Sequence, residues 1–203
     1  MLYSRLHSPF DLIKKFSELD LTLLISILLL GIISMFAQYS SSGGEFDYHS
    51  KSHAIRFAIF FFFFLAVSFV NIRFWNDYSL LIFIFLILLL VAVKFFGVQS
   101  QGSRRWINLF IFNLQPSELM KIGIILFLSN YYHKISSGDV NKFRYLFYPL
   151  LALLIPFMLV VTQPDLGTAI LILISGIVIT WLAGVRWKIF AYLSGLCIIL
   201  API

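Results

Sequence analysis

The sequence predicts an all-α polytopic membrane protein, and three observations carry that prediction. Hydrophobic residues make up 61% of the 203 and charged residues only 12%, against about 25% charged in soluble domains. Mean hydropathy is +0.96. The apolar residues gather in runs that a helix can use to cross about 30 Å of hydrocarbon, for which it needs about 20 residues. They do not alternate with polar residues as the strands of a closed barrel would.

Taken in order, the runs predict six complete spans, at about 21–37, 54–70, 78–96, 116–132, 145–162 and 166–185, and a truncated seventh at 189–203. Acidic Asp11, Glu18 and Asp20 sit among the basic residues of the N-terminal tail, and no small-residue cleavage site follows the first span. The first span is therefore expected to stay in the protein rather than leave as a signal peptide. The connector YSSSGGEFDYHSKSH (39–53) reads as solvated and external, NIRFWND (71–77) as a tight internal turn, and 133–144 as a polar internal loop. The seventh run reaches only about 22 Å and ends at Ala-Pro-Ile with no polar stop, so the chain is expected to end inside a span. All 203 residues read as one membrane domain.

Orientation follows from Lys and Arg. With the N-terminus cytoplasmic, the inner side holds Arg5, Lys14, Lys15, Arg73, Lys134, Lys142, Arg144, Arg186 and Lys188, and the outer side holds Lys51, Arg56, Lys94, Arg104 and Arg105. That bias predicts an N-terminus inside the cell. The basic residues are dispersed over loops on both faces, so the net charge of +6 is a topology and lipid-headgroup signal, not a nucleic-acid footprint. Cys197 is the only cysteine and His49, His53 and His133 are scattered. Neither an intramolecular disulfide nor a metal site is predicted, and no cofactor is identified.

The stretch GSRRWINLFIFNLQPSELMK (102–121) breaks the pattern by placing Arg104, Arg105, Glu118 and Lys121 in an otherwise almost charge-free region. Trp106 and the amphipathic INLFIFNL that follow the arginines can lie in the membrane interface. Two readings fit: a cationic outer pocket, or an anchor whose arginines meet lipid phosphates. In Gln115-Pro116-Ser117-Glu118, proline and a carboxylate both suit the first turn of a helix. Glu118 and Lys121 are then i and i+3 on one face, close enough to pair, which is how charge is tolerated at membrane depth. The pair reads equally as structural or functional. A second signal of the same build is Thr162-Gln163-Pro164-Asp165, with Thr162 and Asp165 at capping-box spacing and Pro164 expected in the first turn. Both turns open inward-going helices from one membrane face. With the arginines nearby, their helix N-termini are expected to form an electropositive vestibule suited to a diphosphate.

GSRRWINL, LQPSELMK and TQPDLGTAI together resemble the SEDS (shape, elongation, division, sporulation) proteins. The match runs along essentially the whole chain through YSSSGG, the His53–Arg56–Phe57 segment and NIRFW. Ser117 in PSELMK, with the NIRFW turn, looks most like the rod-shape-determining branch. The resemblance implies a polytopic protein of about ten helices in the bacterial inner membrane that polymerises lipid II beside a class B penicillin-binding protein and other elongation-complex membrane proteins. The implied chemistry is inverting glycosyl transfer: a carboxylate takes the proton of the acceptor sugar's 4-hydroxyl, which attacks the donor's anomeric carbon as the lipid diphosphate leaves. The implied substrate-binding residues are Arg104, Arg105, Trp106, Gln115, Glu118, Lys121 and Asp165. The implied base lies in a large outer loop after the seventh helix, beyond Ile203, so no catalytic residue is assigned in this chain and it is expected to be inactive alone. The competing readings are a division-type paralogue, a flippase for the lipid-linked precursor, and a non-catalytic interaction fragment. A flippase would normally show repeated halves with broken helices, and no such repeat is visible in the sequence.

Overall fold

The computed structural model describes residues 19–45, 47–100, 103–109 and 112–192. These form two compact units, the first ending at Asn71 and the second beginning at Ile72. In the first are helices α1 (Leu21–Ser41) and α2 (Tyr48–Ser68). In the second, α3 (Ile72–Phe96) is followed by strands β1 (Val98–Ser100), β2 (Ser103–Asn108) and β3 (Asn113–Leu114), then by α4 (Pro116–His133), α5 (Phe143–Val161) and α6 (Leu166–Leu182).

Among the described residues, four segments are long and apolar enough to cross a membrane: α1, residues Ser50–Ser68 of α2, α3 and α5. The other two predicted spans are helices in the expected places. Helix α6 is apolar but has only 17 residues. Helix α4 carries Ser117, Glu118, Lys121, Asn130 and His133, too many polar groups to qualify by composition. Of the seventh run, residues 189–192 are helical. Residues 193–203, with Cys197, and the tail 1–18, with Arg5, Asp11, Lys14, Lys15 and Glu18, lie outside the described residues.

Several expectations need correction. The 39–53 connector is mostly helix, because α1 runs to Ser41 and α2 starts at Tyr48, where Asp47 caps it by accepting from the Ser50 amide at 2.8 Å. The 71–77 turn is likewise the first turns of α3. INLFIFNL is not one amphipathic interfacial segment: Ile107 and Asn108 belong to β2, and they pair with Leu114 and Asn113 of β3. The all-α expectation thus acquires a three-stranded antiparallel sheet ordered β1-β2-β3. At the second turn, Thr162 ends α5, its hydroxyl donating to the Leu159 carbonyl at 2.8 Å, while Asp165 itself caps α6. Pro164 therefore precedes the helix instead of opening it.

In the first unit, Asp20 caps α1 by accepting from the amides of Thr22 at 2.9 Å and Leu23 at 3.2 Å. The helix pair meets at small residues, as membrane helices do where close backbone approach supplies the packing energy. Gly31 of α1 faces the ring of Phe57 so closely that a Cβ there would overlap it. Ser34 Oγ and His53 Nε2 share a hydrogen bond of 2.8 Å.

The core of the second unit is a stripe of Met120, Ile124, Leu128 and Tyr132 at every fourth residue of α4. It packs among Phe83, Leu86 and Leu90 of α3, Leu153 and Val160 of α5, and Ala169 and Ile172 of α6. Fourfold spacing aligns these side chains along one face of α4, which makes α4 central. At its C-terminal end, Asn130 Nδ2 donates to the Asn76 carbonyl at 2.8 Å and to Ser79 Oγ, holding α4 to α3. The loop after α4 is closed by Lys142 and Asp139, 2.6 Å apart. The hydrogen bond from Lys142 holds the Asp139 carboxyl below its usual range. Asn141 ties the same loop to the end of α6, accepting from the Arg186 amide at 2.8 Å. There Gly184 adopts φ +96°, the left-handed conformation that ends many helices and that only glycine adopts cheaply.

Candidate functional site

The two QP turns and the arginine pair converge where β2 meets the start of α4 and the start of α6. Strand β2 places the arginines. Across β1 its register sets Gln99 opposite Arg104 and Val98 opposite Trp106, so Arg105 is an extra residue on β2, a bulge. Bulges bend a strand and re-aim a side chain.

Arg105 is aimed at the turn before α6. Its Nε donates to the Gln163 carbonyl at 3.1 Å, Nη2 donates to the Pro164 carbonyl, and Nη1 lies 3.9 Å from Asp165 Oδ1. Asp165 is engaged from two further sides. Its Oδ1 accepts from the Thr168 amide at 3.3 Å, capping α6, and its Oδ2 accepts from Gln115 Nε2 at 2.9 Å. Gln115 is the residue just before α4, so one carboxylate joins the starts of α4 and α6 to the hairpin. The Asp165 side chain is only 12% exposed, the Arg105 side chain 31%, and pairing is what makes such burial of charge tolerable.

Glu118 and Lys121 do form the predicted ion pair, with Lys121 Nζ 2.9 Å from Glu118 Oε2. The pair sits one turn into α4, and no bond given by the structure joins it to Arg105. Trp106 is half-buried and Arg104 exposed. The structure therefore brings Arg105, Gln115 and Asp165 into contact, leaves Glu118 and Lys121 as a separate pair, and leaves Arg104 with no ion-pair partner among the described residues.

Sequence reasoning missed Gln163. Its side chain is buried and donates through Nε2 to the Leu90 carbonyl of α3 at 3.0 Å, while its own carbonyl receives Arg105. The repeated Gln-Pro was the available signal, but the repeat does not have one meaning: Gln115 serves Asp165, and Gln163 serves α3. Ser117, adjacent to Glu118, is fully buried and its hydroxyl has no partner among the described residues. A cavity of about 340 Å³ lies at the far end of α4, between Tyr132, His133, Val140 and Leu182, away from these residues. Among the described residues no group of three or more His, Cys, Asp or Glu stands ready to hold a metal.

Residues 16–203 match the model of the FtsW, RodA and SpoVE family, described as cell cycle protein. The peptidoglycan glycosyltransferase MrdB of Escherichia coli is 30% identical over 172 residues, covering 85% of this chain and 46% of MrdB. A protein of Buchnera aphidicola from Schizaphis graminum, named "Probable peptidoglycan glycosyltransferase FtsW", is 34% identical over 152 residues, covering 72% of this chain and 43% of the relative. The chain thus spans about half the length of the curated relatives it matches. Among solved structures, the rod shape determining protein RodA of Thermus thermophilus shares the fold at TM-score 0.70 and 22% identity, over 87% of this chain and 58% of that one. A chain from a structure described as "Structural coordination of polymerization and crosslinking by a peptidoglycan synthase complex" does so at TM-score 0.76 and 22% identity, over 89% and 52%. The apolar helices and these relatives make it a multi-pass protein of the bacterial inner membrane. Matched across its whole described length by one family model, the chain belongs to the SEDS family, that of FtsW, RodA and SpoVE.

Proposed function

We propose that this chain supplies the headgroup-binding part of a peptidoglycan glycosyltransferase that polymerises lipid II during cell elongation. The observation that carries the proposal is the convergence of Arg105, Gln115 and Asp165, from three separate segments, beside the ion pair of Glu118 and Lys121. Six helices cross the membrane in this reading, the polar α4 being accepted because its charges pair and its buried face is covered by α3, α5 and α6. The N-terminus is cytoplasmic, which puts the hairpin and both QP turns on the outer face, where the lipid-linked sugar is polymerised.

Arg104, Arg105, Trp106, Gln115, Glu118, Lys121 and Asp165 border the headgroup site. An exposed guanidinium such as that of Arg104 suits a diphosphate because it can bind it bidentately, and two helix starts at the same place add the favourable ends of their dipoles. Trp106 offers a ring for the sugar or for the first isoprene units. Ser117 in PSELMK and the NIRFW segment favour the elongation branch over a division-type paralogue. The partner in this reading is a class B penicillin-binding protein, alongside other elongation-complex membrane proteins.

Fluorescent lipid II titrated against the purified chain in nanodiscs tests the proposal. Saturable binding that Trp106→Ala weakens, with the amount of folded protein unchanged, is the expected result. Flux of the lipid across the bilayer with no effect of Trp106→Ala would favour a flippase. No binding at all, with a penicillin-binding protein still captured, would favour an interaction fragment.

A further inference from the structure

We infer that Arg105 is a positioning residue: it holds the outer hairpin onto the turn before α6 and does not itself meet the substrate, and Arg104 is the guanidinium left for an anionic headgroup. The inference rests on the proposed headgroup site for its second half only. Its first half stands on geometry.

Three observations support the clamp. Arg105 is the bulged residue of β2, with no counterpart across β1, and the bulge turns its side chain toward the 163–165 turn. Its Nε and Nη2 donate to two backbone carbonyls there, and Nη1 faces the Asp165 carboxylate at an ion-pair distance of 3.9 Å. A phosphate bound bidentately on the Nε–Nη2 edge would have to displace both carbonyls, and on the Nη1–Nη2 edge it would meet the Asp165 carboxylate. The receiving turn is itself fixed, by Gln163 to α3, by Gln115 to the start of α4, and by the Asp165 cap on α6. Arg105 thus completes a lock among four segments whose sequence separations reach 73 residues. Arg104 is exposed and free of any ion-pair partner among the described residues. It immediately precedes Arg105 on β2, so the lock fixes where its backbone is held.

The test uses hydrogen–deuterium exchange and lipid II binding on the same nanodisc preparations. Arg105→Ala and Arg105→Lys should both speed amide exchange in residues 103–108 and 166–168 by about tenfold, because an ammonium group is a single point of charge without the planar fork that spans both carbonyls. Arg104→Ala should leave exchange there unchanged. For lipid II, Arg104→Ala should weaken binding about tenfold, as expected for losing a charge-assisted contact, and Arg104→Lys should recover part of it. Arg105→Lys should be as weak as Arg105→Ala, since retained charge without the fork does not restore the lock.

Unchanged exchange in Arg105→Ala overturns the clamp. Wild-type lipid II affinity in Arg104→Ala, or full recovery in Arg105→Lys, overturns the division of roles. Should the unsubstituted chain bind no lipid II, the headgroup reading fails, and the exchange data alone decide whether Arg105 is the clamp.

Discussion

Arg105 Nε lies 3.1 Å from the carbonyl oxygen of Gln163, 58 residues further along the chain, and through that turn the hairpin is tied to the start of α6. The carboxylate two residues on, Asp165, completes the connection by accepting from Gln115. The group that sequence motifs mark as an acid is here a junction.

Asp165→Ala removes a helix cap, the acceptor of Gln115 and the counter-ion of Arg105 together. A lost cap alone costs about 1 kcal/mol, and the stranded guanidinium adds to it, though less than in a fully buried pair because Arg105 keeps some water. Asp165→Asn keeps an oxygen for the cap but neither the charge nor the second acceptor, and should recover only the cap's share of the loss. Thermal unfolding in one detergent measures both. Equal midpoints for the alanine and asparagine variants would mean that the cap contributes little.

Glu118 and Lys121 call for a different comparison. The Glu118 side chain is 53% exposed and that of Lys121 25%, so in contact with water the pair would be worth under about 1 kcal/mol. At membrane depth the water is scarcer and a lone charge is worse. Glu118→Gln and Lys121→Met should each reduce membrane abundance, and the double variant should restore it if the pair is structural. Lipid II binding that stays lost in an abundant double variant would give the pair a role in holding substrate.

The positions of these charges were legible in the sequence and their connections were not. Pro116 announced the start of α4, and the i, i+3 spacing of Glu118 and Lys121 announced their pairing, because both depend on neighbours along one helix. The hairpin was hidden because Trp106 to Leu114 is apolar at both strand and interfacial-helix positions, and register across β1 is a non-local property. Helix ends at Ser41 and Ile72 were also misplaced, since polar residues such as Ser40 and Arg73 continue a helix that extends past the apolar run. Gln163 was passed over because a buried glutamine looks in sequence like any other.

In the first unit, Gly31→Leu tests whether α1 and α2 depend on close approach. The added side chain would have to displace the Phe57 ring, and overpacking of this kind costs about 1–3 kcal/mol. Proteolysis at the 42–47 connector should become faster, while Phe57→Ala combined with Gly31→Leu should slow it again. Unaltered proteolysis in Gly31→Leu would show that the ring turns aside without cost.

A general base accelerates a step by about 10²–10⁴-fold, and it must reach the proton it removes within about 3 Å. Asp165 and Glu118 are the two carboxylates at the candidate site. Asp165 has one oxygen on Gln115 and the other on the Thr168 amide and beside Arg105. Glu118 is held by Lys121 through Oε2. A sugar hydroxyl approaching Asp165 would have to displace a partner that holds the lock together, and one approaching Glu118 would meet a carboxylate already neutralised by an ammonium group. Neither is placed to act as the base, so the purified 203-residue chain should bind lipid II and form no glycan polymer within hours, with no other glycosyltransferase present. Polymer on a gel that disappears in Glu118→Gln would make Glu118 the base, and polymer that disappears only in Asp165→Asn would make it Asp165. Either result would mean that the ion pair or the junction opens when substrate arrives.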